Sequence, residues 1–407
     1  MSFLLQKFRL QNFKKFSELD LQDLARINLI VGDNNVGKTT LLEAIFTFSC
    51  GTNFYPLLSV PFSQRLQDGR LPNPMILNPY RMAEYILYTF HWENLIPYNV
   101  FRLDFQGTIT QKDDNKTSSE EIKICHEFVP SQIFSEFMPQ KTETWYDAPI
   151  SYNTFDMQDN VGNNVRISLP NQYLGKWNIT VNYNQGRNET KETFSVTYPN
   201  PSSDNTAKQP QPLILAKFNN ELSHCDENEN RRIFAAITRA GIMSDFIKEI
   251  SESFDIELEA IENIPYPDGS ESSITFRPKE KNFHMPLYAF GDGLRRWYSL
   301  LGGMLIFKNA VHCIDEVDVG FHQQVQGVFS KQLVNYAHKY NNQLFMTTHN
   351  VEYMNEFLHA IDNMGNNILE NDVRVITLRA INNSVKCRTL TGKEALRACE
   401  DGLDVRL

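Results

Sequence analysis

Nine consecutive residues, Gly32-Asp33-Asn34-Asn35-Val36-Gly37-Lys38-Thr39-Thr40, combine two spaced glycines, a lysine and two hydroxyls. Glycine at both positions lets the backbone curl until successive N–H groups converge on one anion, and a helix starting there adds its positive end. Lys38 supplies a point charge for the β and γ phosphates of a nucleotide. Thr39 supplies a hydroxyl for Mg²⁺, and Thr40 a further hydrogen bond to phosphate or backbone. The candidate nucleotide contacts are Asn34, Asn35, Gly37, Lys38, Thr39 and Thr40, with Lys38 also a candidate for the chemical step. An accidental glycine-rich turn is the alternative, but the flanks argue against it. A β-branched run over residues 27–31 enters the loop and a helical pattern at Leu41, Leu42, Ala44, Ile45, Phe46 and Phe48 leaves it. Strand, loop and helix are the context that such a motif requires.

Three further groups carry compatible chemistry. Ala310-Val311-His312-Cys313-Ile314-Asp315-Glu316 reads as an apolar strand ending in two acids. Asp315 is placed to hold magnesium through water, and Glu316, one residue further out, to polarise an attacking water. Alone, the pair would read as a solvated strand end; beside the glycine loop it supplies the missing half of a site. Gly291-Asp292-Gly293 opens a helix and forms a second anion-receiving nest, or a simple helix cap with Gly291 in a turn. It cannot easily reach the same phosphates from the same side as Lys38. The economical arrangement is a head-to-tail dimer, with Gly291, Asp292 and Gly293 of one protomer facing the γ phosphate held by Lys38 of the other. Finally, Thr347-Thr348-His349-Asn350 follows an apolar strand, where a neutral imidazole at His349 can donate to the γ phosphate or orient the water.

The elements that must position these residues alternate in type. Residues 3–10 and 16–21 predict strands joined at Gln11 and Asn12, and residues 52–215 predict a string of short strands, at 85–90, 100–109, 122–128, 165–169 and 177–183. Helices are expected over 228–240 and 243–252, followed by a strand at 273–277. The final third predicts a helix over 293–307, a strand over 310–314, a helix over 323–340 and a strand over 343–347. Short apolar strands between amphipathic helices imply an α/β fold with a mainly parallel sheet covered on both faces, and ligands at its carboxyl edge. The expected organisation is a core from 1–50 and 285–407, an antiparallel β-rich insertion over 52–215, and a small helical lobe over 228–284.

Composition narrows the classes. The chain has 407 residues and a formal net charge of −10, which argues against wholesale wrapping of nucleic acid but leaves a local basic patch open. Cys50, Cys125, Cys225, Cys313, Cys387 and Cys399 form neither a CxxC pair nor a disulfide framework, so redox chemistry is not expected. Lys7 and Arg9 interrupt the N-terminal apolar run too early for a secretory signal, and no run reaches the roughly 20 apolar residues of a membrane span. The expectation is a cytoplasmic protein with no membrane partner.

Together these motifs resemble the ABC-type ATPase heads, and more closely the bacterial AAA-like ATPases related to the ATPase half of overcoming-lysogenization-defect proteins and to RecF and SMC heads. Phe8-Arg9-Leu10-Gln11-Asn12-Phe13-Lys14-Lys15-Phe16 is similar to the family's opening "rIxNFrsF", and residues 28–42 to its "NLivGxNNsGKTsLLEA". Gly291-Asp292-Gly293-Leu294-Arg295-Arg296 resembles its variant signature. Asp315-Glu316-Val317-Asp318-Val319-Gly320-Phe321-His322 resembles "DEieNGlH", residues 343–350 "QvfaTTHS", and Gly402-Leu403-Asp404-Val405-Arg406 the "GlDiR" ending. The resemblance implies a P-loop NTPase with an ABC/SMC-type head that binds ATP and Mg²⁺ and hydrolyses ATP. It implies Lys38 and Thr39 on phosphate and magnesium, Asp315 on magnesium, Glu316 as general base and His349 as γ-phosphate switch. Gly291, Asp292 and Gly293 become a signature acting in trans within a homodimer or higher homo-oligomer. His322 falls in the segment where protomers would touch, and Gln106 is a weak match for the family's glutamine loop. Val36 departs from the frequent Ser or Cys of the loop without removing backbone contacts, and Asn350 from Ser while keeping a hydrogen-bonding group.

Relatives of the overcoming-lysogenization-defect type carry a Toprim nuclease after the ATPase. The 58 residues after His349 are too few for one, so the expected effector is either absent or a separately encoded nuclease or Toprim-like protein. The resulting expectation is an ATPase sensor or regulator in bacterial antiphage defence. The alternatives are a RecF/SMC-like ATPase that binds DNA in repair or chromosome maintenance, and an ATP-dependent scaffold with little turnover.

Overall fold

The computed structural model describes residues 2–52, 89, 101–113, 116–130, 152–158, 164–170, 175–185, 188–198, 212–266, 272–279, 283–382 and 384–405. They form two compact units. One comprises Met1–Leu24, Asn35–Ala216 and Arg379–Cys387, the other Ala25–Asn34, Lys217–Leu378 and Arg388–Leu407. The boundary between them passes through the glycine loop, between Asn34 and Asn35. Residues 1–24 and 35–50 fall in the same unit as the β-rich segment.

In the first unit β1 (Ser2–Phe13), β2 (Phe16–Leu21), β4 (Phe101–Asp113), β5 (Lys116–Pro130), β8 (Gly175–Gln185) and β9 (Asn188–Tyr198) form an antiparallel sheet of order β2-β1-β4-β5-β8-β9. Buried residues recur at every second position: Phe101, Leu103 and Phe105 on β4, Ile122, Ile124, His126 and Phe128 on β5, and Trp177, Ile179 and Val181 on β8, all apolar except His126. That alternation gives one apolar face, against which α1 (Lys38–Ser49) lays Phe48, whose ring meets Phe8 edge-on at 5.5 Å. The turn between β1 and β2 falls at Lys14 and Lys15, three residues beyond the expected Gln11 and Asn12, because Phe13 and Phe16 pair across the ladder and both bury their rings. A separate hairpin joins β6 (Tyr152–Gln158) to β7 (Asn164–Pro170). Of the strand expected over 85–90, only Thr89 is among the described residues, and it is helical.

The second unit is built on a sheet of order β10-β14-β15-β3-β16-β17, where β3 is Ile27–Gly32, β10 Leu215–Asn219, β14 Ala310–Ile314, β15 Gln343–Thr347, β16 Val373–Ile381 and β17 Ser384–Thr391. Neighbours among β14, β15, β3 and β16 run parallel. Every residue of β3, β14 and β15 is buried, as strands covered on both faces must be. Helices α2 (Glu227–Ala240), α3 (Met243–Phe254), α4 (Asp292–Ile306), α5 (Gln323–Lys339), α6 (Val351–Asp362), α7 (Ile368–Asn371) and α8 (Gly392–Glu400) complete this unit. Trp297 of α4 is fully buried beside Phe246 of α3, and its indole N–H donates to Gln332 of α5 at 2.6 Å. A small antiparallel sheet joins β11 (Leu258–Pro265), β12 (Ser272–Pro278) and β13 (Met285–Pro286). No helix among the described residues is long and apolar enough to cross a membrane.

Each unit buries a neutral histidine. His126 accepts the Trp177 indole N–H at 3.2 Å, and burial pushes its pKa down to about 3. His312 donates from Nε2 to the Phe307 carbonyl at 3.1 Å, and burial brings it down to about 4 despite that bond. Unfolded histidine titrates near 6.5, so on acidification the unfolded chain takes up protons that the folded chain refuses. Stability should therefore fall as pH drops below about 6.5. His312→Gln should remove roughly 1–2 kcal/mol of the loss between pH 7 and pH 5, measured by urea unfolding at the two pH values.

Candidate nucleotide site

The glycine loop leaves β3 at Gly32, whose φ is 142°, and passes through left-handed backbone at Asn35 (φ 61°) and Gly37 (φ 114°). Glycine adopts this conformation at no steric cost and asparagine tolerates it. A Cβ on Gly37 would also lie 2.9 Å from the Phe16 ring, so conformation and space both demand glycine. Val36 is 2% exposed and anchors the loop, which accounts for an apolar residue at this position. Lys15 donates to the Asn35 carbonyl, and Lys14 pairs with the buried Glu43 of α1. Gly37 caps α1 without a side-chain hydrogen bond, and the first turn holds no acid. No acid within the first turn of α1 opposes an anion at its positive end, and this fits a phosphate. Lys38, Thr39 and Thr40 are all half-buried there.

The acid pair lies in the second unit, at the end of β14. The Thr347 hydroxyl, on the adjacent β15, donates to Asp315 Oδ1 at 2.6 Å and accepts the Glu316 N–H at 2.8 Å. Thr348 Oγ1 donates to Asp318 at 2.7 Å, and the Asp315 N–H donates to the Asn219 carbonyl at 2.8 Å. Glu316 takes left-handed backbone, φ 49°, and its carboxylate stands 3.8 Å from His349 Nδ1 with both side chains nearly half exposed. Burial and the neighbouring Asp315 raise the Glu316 pKa, while His349 opposes the rise. A carboxylate with a raised pKa beside a second acid and an imidazole can accept a proton from water. Asp315, half-buried at the same strand end, has the hard oxygen that a magnesium ion requires.

Gly291, Asp292 and Gly293 open α4 in the same unit. Gly291 is its N-cap, and Asp292 receives Arg295 Nη1 at 3.0 Å and lies 3.5 Å from His224 Nε2. His224 is 6% exposed; burial first, then Arg295 and Arg296, lowers its pKa. One turn along, Arg296 is 2% exposed and donates to the Glu316 carbonyl at 2.9 Å. A Cβ on Gly293 would stand 2.5 Å from the Gly320 carbonyl oxygen, so the helix start packs directly on the loop after the acids. His322, expected at a protomer contact, caps α5, accepting the Gln324 N–H at 3.4 Å.

Asp315, Glu316, His349 and the Gly291–Gly293 turn thus share one unit with the start of the glycine loop, Gly32 to Asn34. Asn35 and the residues at the head of α1 belong to the other unit. Thr347, Arg296 and Lys15 join the site although their residue types alone assign them no role. Thr347 lay inside the quoted strand-end motif, and its hydroxyl was the available signal; nothing local marked Arg296 as buried. Gln106 lies within β4, where its amide donates to Glu121.

A family model for the AAA ATPase domain matches residues 4–194 and 156–353. The chain is similar to an ATP/GTP phosphatase of Helicobacter pylori, with 21% identity over 372 residues that cover 86% of each protein. A shorter stretch is similar to the DNA replication and repair protein RecF of Idiomarina loihiensis, 44% identical over 65 residues, which is 16% of this chain and 18% of that one. Among solved structures, an SMC head bound to the C-winged helix domain of ScpA aligns over 97% of this chain and 99% of its own, at 13% identity and a TM-score of 0.48.

The two glycines of the α4 turn make opposite demands. Nothing lies within 4 Å of a Cβ on Gly291, and its φ of −62° suits any residue. Gly293→Ala should destabilise the protein by about 1–3 kcal/mol through overpacking against backbone, whereas Gly291→Ala should leave the urea midpoint unchanged.

Proposed function

Because the chain belongs to the AAA ATPase domain family, we propose that it binds and hydrolyses ATP and uses the nucleotide to close two copies of itself into a switch. One observation carries this reading. β14, β15 and β3 are adjacent and parallel, so Asp315–Glu316, His349 and the start of the glycine loop all emerge at the carboxyl edge of one sheet, where open α/β sheets bind ligands.

In this reading Lys38 and the N–H groups of the loop neutralise the β and γ phosphates, with Asn34, Asn35, Gly37 and Thr40 shaping the cradle. Thr39 and Asp315 hold magnesium, which when bound spreads the phosphate charge. Glu316 accepts a proton from the attacking water as the bond to ADP breaks. His349 orients that water or donates to the γ phosphate. The backbone N–H groups at Gly291, Asp292 and Gly293 receive the γ phosphate held by the other copy; Gly291 and Asp292 are exposed, which suits an approach from outside the chain.

The Helicobacter pylori ATP/GTP phosphatase supports hydrolysis and makes GTP the first competing substrate to assay. The RecF similarity supports a role in DNA replication, repair or chromosome maintenance ahead of the phage-defence role expected from sequence. A defence role with a separately encoded nuclease rests on motif resemblance alone. The net charge of −10 confines any direct DNA contact to a local basic surface, which a steep salt dependence of binding would reveal.

Lys38→Ala should abolish ATP binding, and Glu316→Gln should keep binding while lowering turnover about 100-fold or more and trapping an ATP-bound dimer. Normal turnover by Glu316→Gln would remove it as the base, and tight dimerisation with negligible turnover in the parent would make ATP a structural glue. Mixed dimers of Lys38→Ala with Asp292→Asn should regain activity through one intact composite site. Inactive mixed dimers of verified composition would count against the trans arrangement.

A further inference from the structure

Thr347 closes β15 and is 1% exposed. Its hydroxyl donates to Asp315 Oδ1 at 2.6 Å and accepts the Glu316 N–H at 2.8 Å, while its carbonyl accepts the Val317 N–H at 2.9 Å. One buried residue therefore holds three successive residues of the neighbouring strand end. Glu316 sits at a φ of 49°, a conformation that a non-glycine residue keeps only when its surroundings impose it. The Thr347 hydroxyl is what the surroundings supply at its amide. It also stops the Asp315 carboxylate from rotating about its own axis.

The job requires a group that donates and accepts at once from a small side chain, which only Ser or Thr provides. Valine has the same shape and does neither. Removing the hydroxyl would leave the Glu316 N–H without its acceptor and Asp315 without its donor, loosening both acids together.

We propose that Thr347 is a positioning residue that sets the water-facing Glu316 and the magnesium-facing Asp315 with a single hydroxyl. The inference rests on the reading of those two acids given under the proposed function. It adds that their geometry is imposed from β15 and is not intrinsic to the acidic turn.

Thr347→Val should lower kcat about 30-fold while the ATP dissociation constant stays within about threefold, and Thr347→Ser should stay within about threefold of the parent in both. In a Glu316→Gln background, Thr347→Val should lower the residual rate by less than about threefold, since the group it positions is already lost. Unchanged turnover by Thr347→Val, or a multiplicative loss in the Gln background, would overturn the inference while leaving the base assignment intact. Full turnover by Glu316→Gln would instead overturn the base assignment. The tie to Asp315 would then be read from the magnesium concentration for half-maximal activity, which should rise about tenfold in Thr347→Val; no rise would overturn that tie too. Melting curves establish that each variant folds, and if Thr347→Val does not, Thr347→Ala takes its place against Thr347→Ser.

Discussion

Burial of β3, β14 and β15 on both faces is the constraint from which the rest of the second unit follows. Strands without a solvated face are mostly apolar and hydrogen-bond the few polar residues they keep, such as Asn28 and His312, so solvent-facing chemistry is displaced to where each strand ends. Parallel pairing then puts those ends on one edge. Ile314 gives way to Asp315, Thr347 to Thr348 and His349, and Val31 to Gly32, within the span of a single strand spacing on either side of β15.

A polar strand end next to a core would lose its geometry to water unless hydrogen bonds tied it down. Here the ties run between neighbouring strands: Thr347 to Asp315 and Glu316, Thr348 to Asp318, and the Asp315 N–H to Asn219 on the end of β10. Arg296 adds a guanidinium on the Glu316 carbonyl from the start of α4. Burial lowers its pKa, and Asp318, Glu221, Glu316 and Asp315 oppose that shift. The acidic turn and the α4 turn are consequently one packed object, pressed together where Gly293 meets Gly320.

How much of this was legible in sequence depended on the range of the interaction. The loop before α1, the strand over 310–314 and the strand over 343–347 were readable because glycine spacing and short apolar runs are local signals, and β14 and β15 carry those bounds. β16 was not singled out, although it lies beside β3, because nothing in its own residues says which strand it joins. The β1–β2 turn was placed at Gln11 and Asn12 by their polarity, yet the burial of Phe13 and Phe16 carried the ladder further. α1 packs with the antiparallel strands of the first unit, a matter of which faces meet.

The chemistry available to this protein, a glycine loop with Lys38 and Thr39, an acid pair at Asp315 and Glu316, and a histidine at 349, was determined by sequence alone, since side-chain identity and local backbone preference are properties of consecutive residues. Tertiary structure decided the strand order that gathers the acids, the histidine and the start of the loop on one edge. It also decided that Glu316 is held in left-handed backbone by the hydroxyl of Thr347, 31 residues away in the chain. Those outcomes come from burial and from hydrogen bonds between distant strands, and such pairings have no signature until the chain has folded.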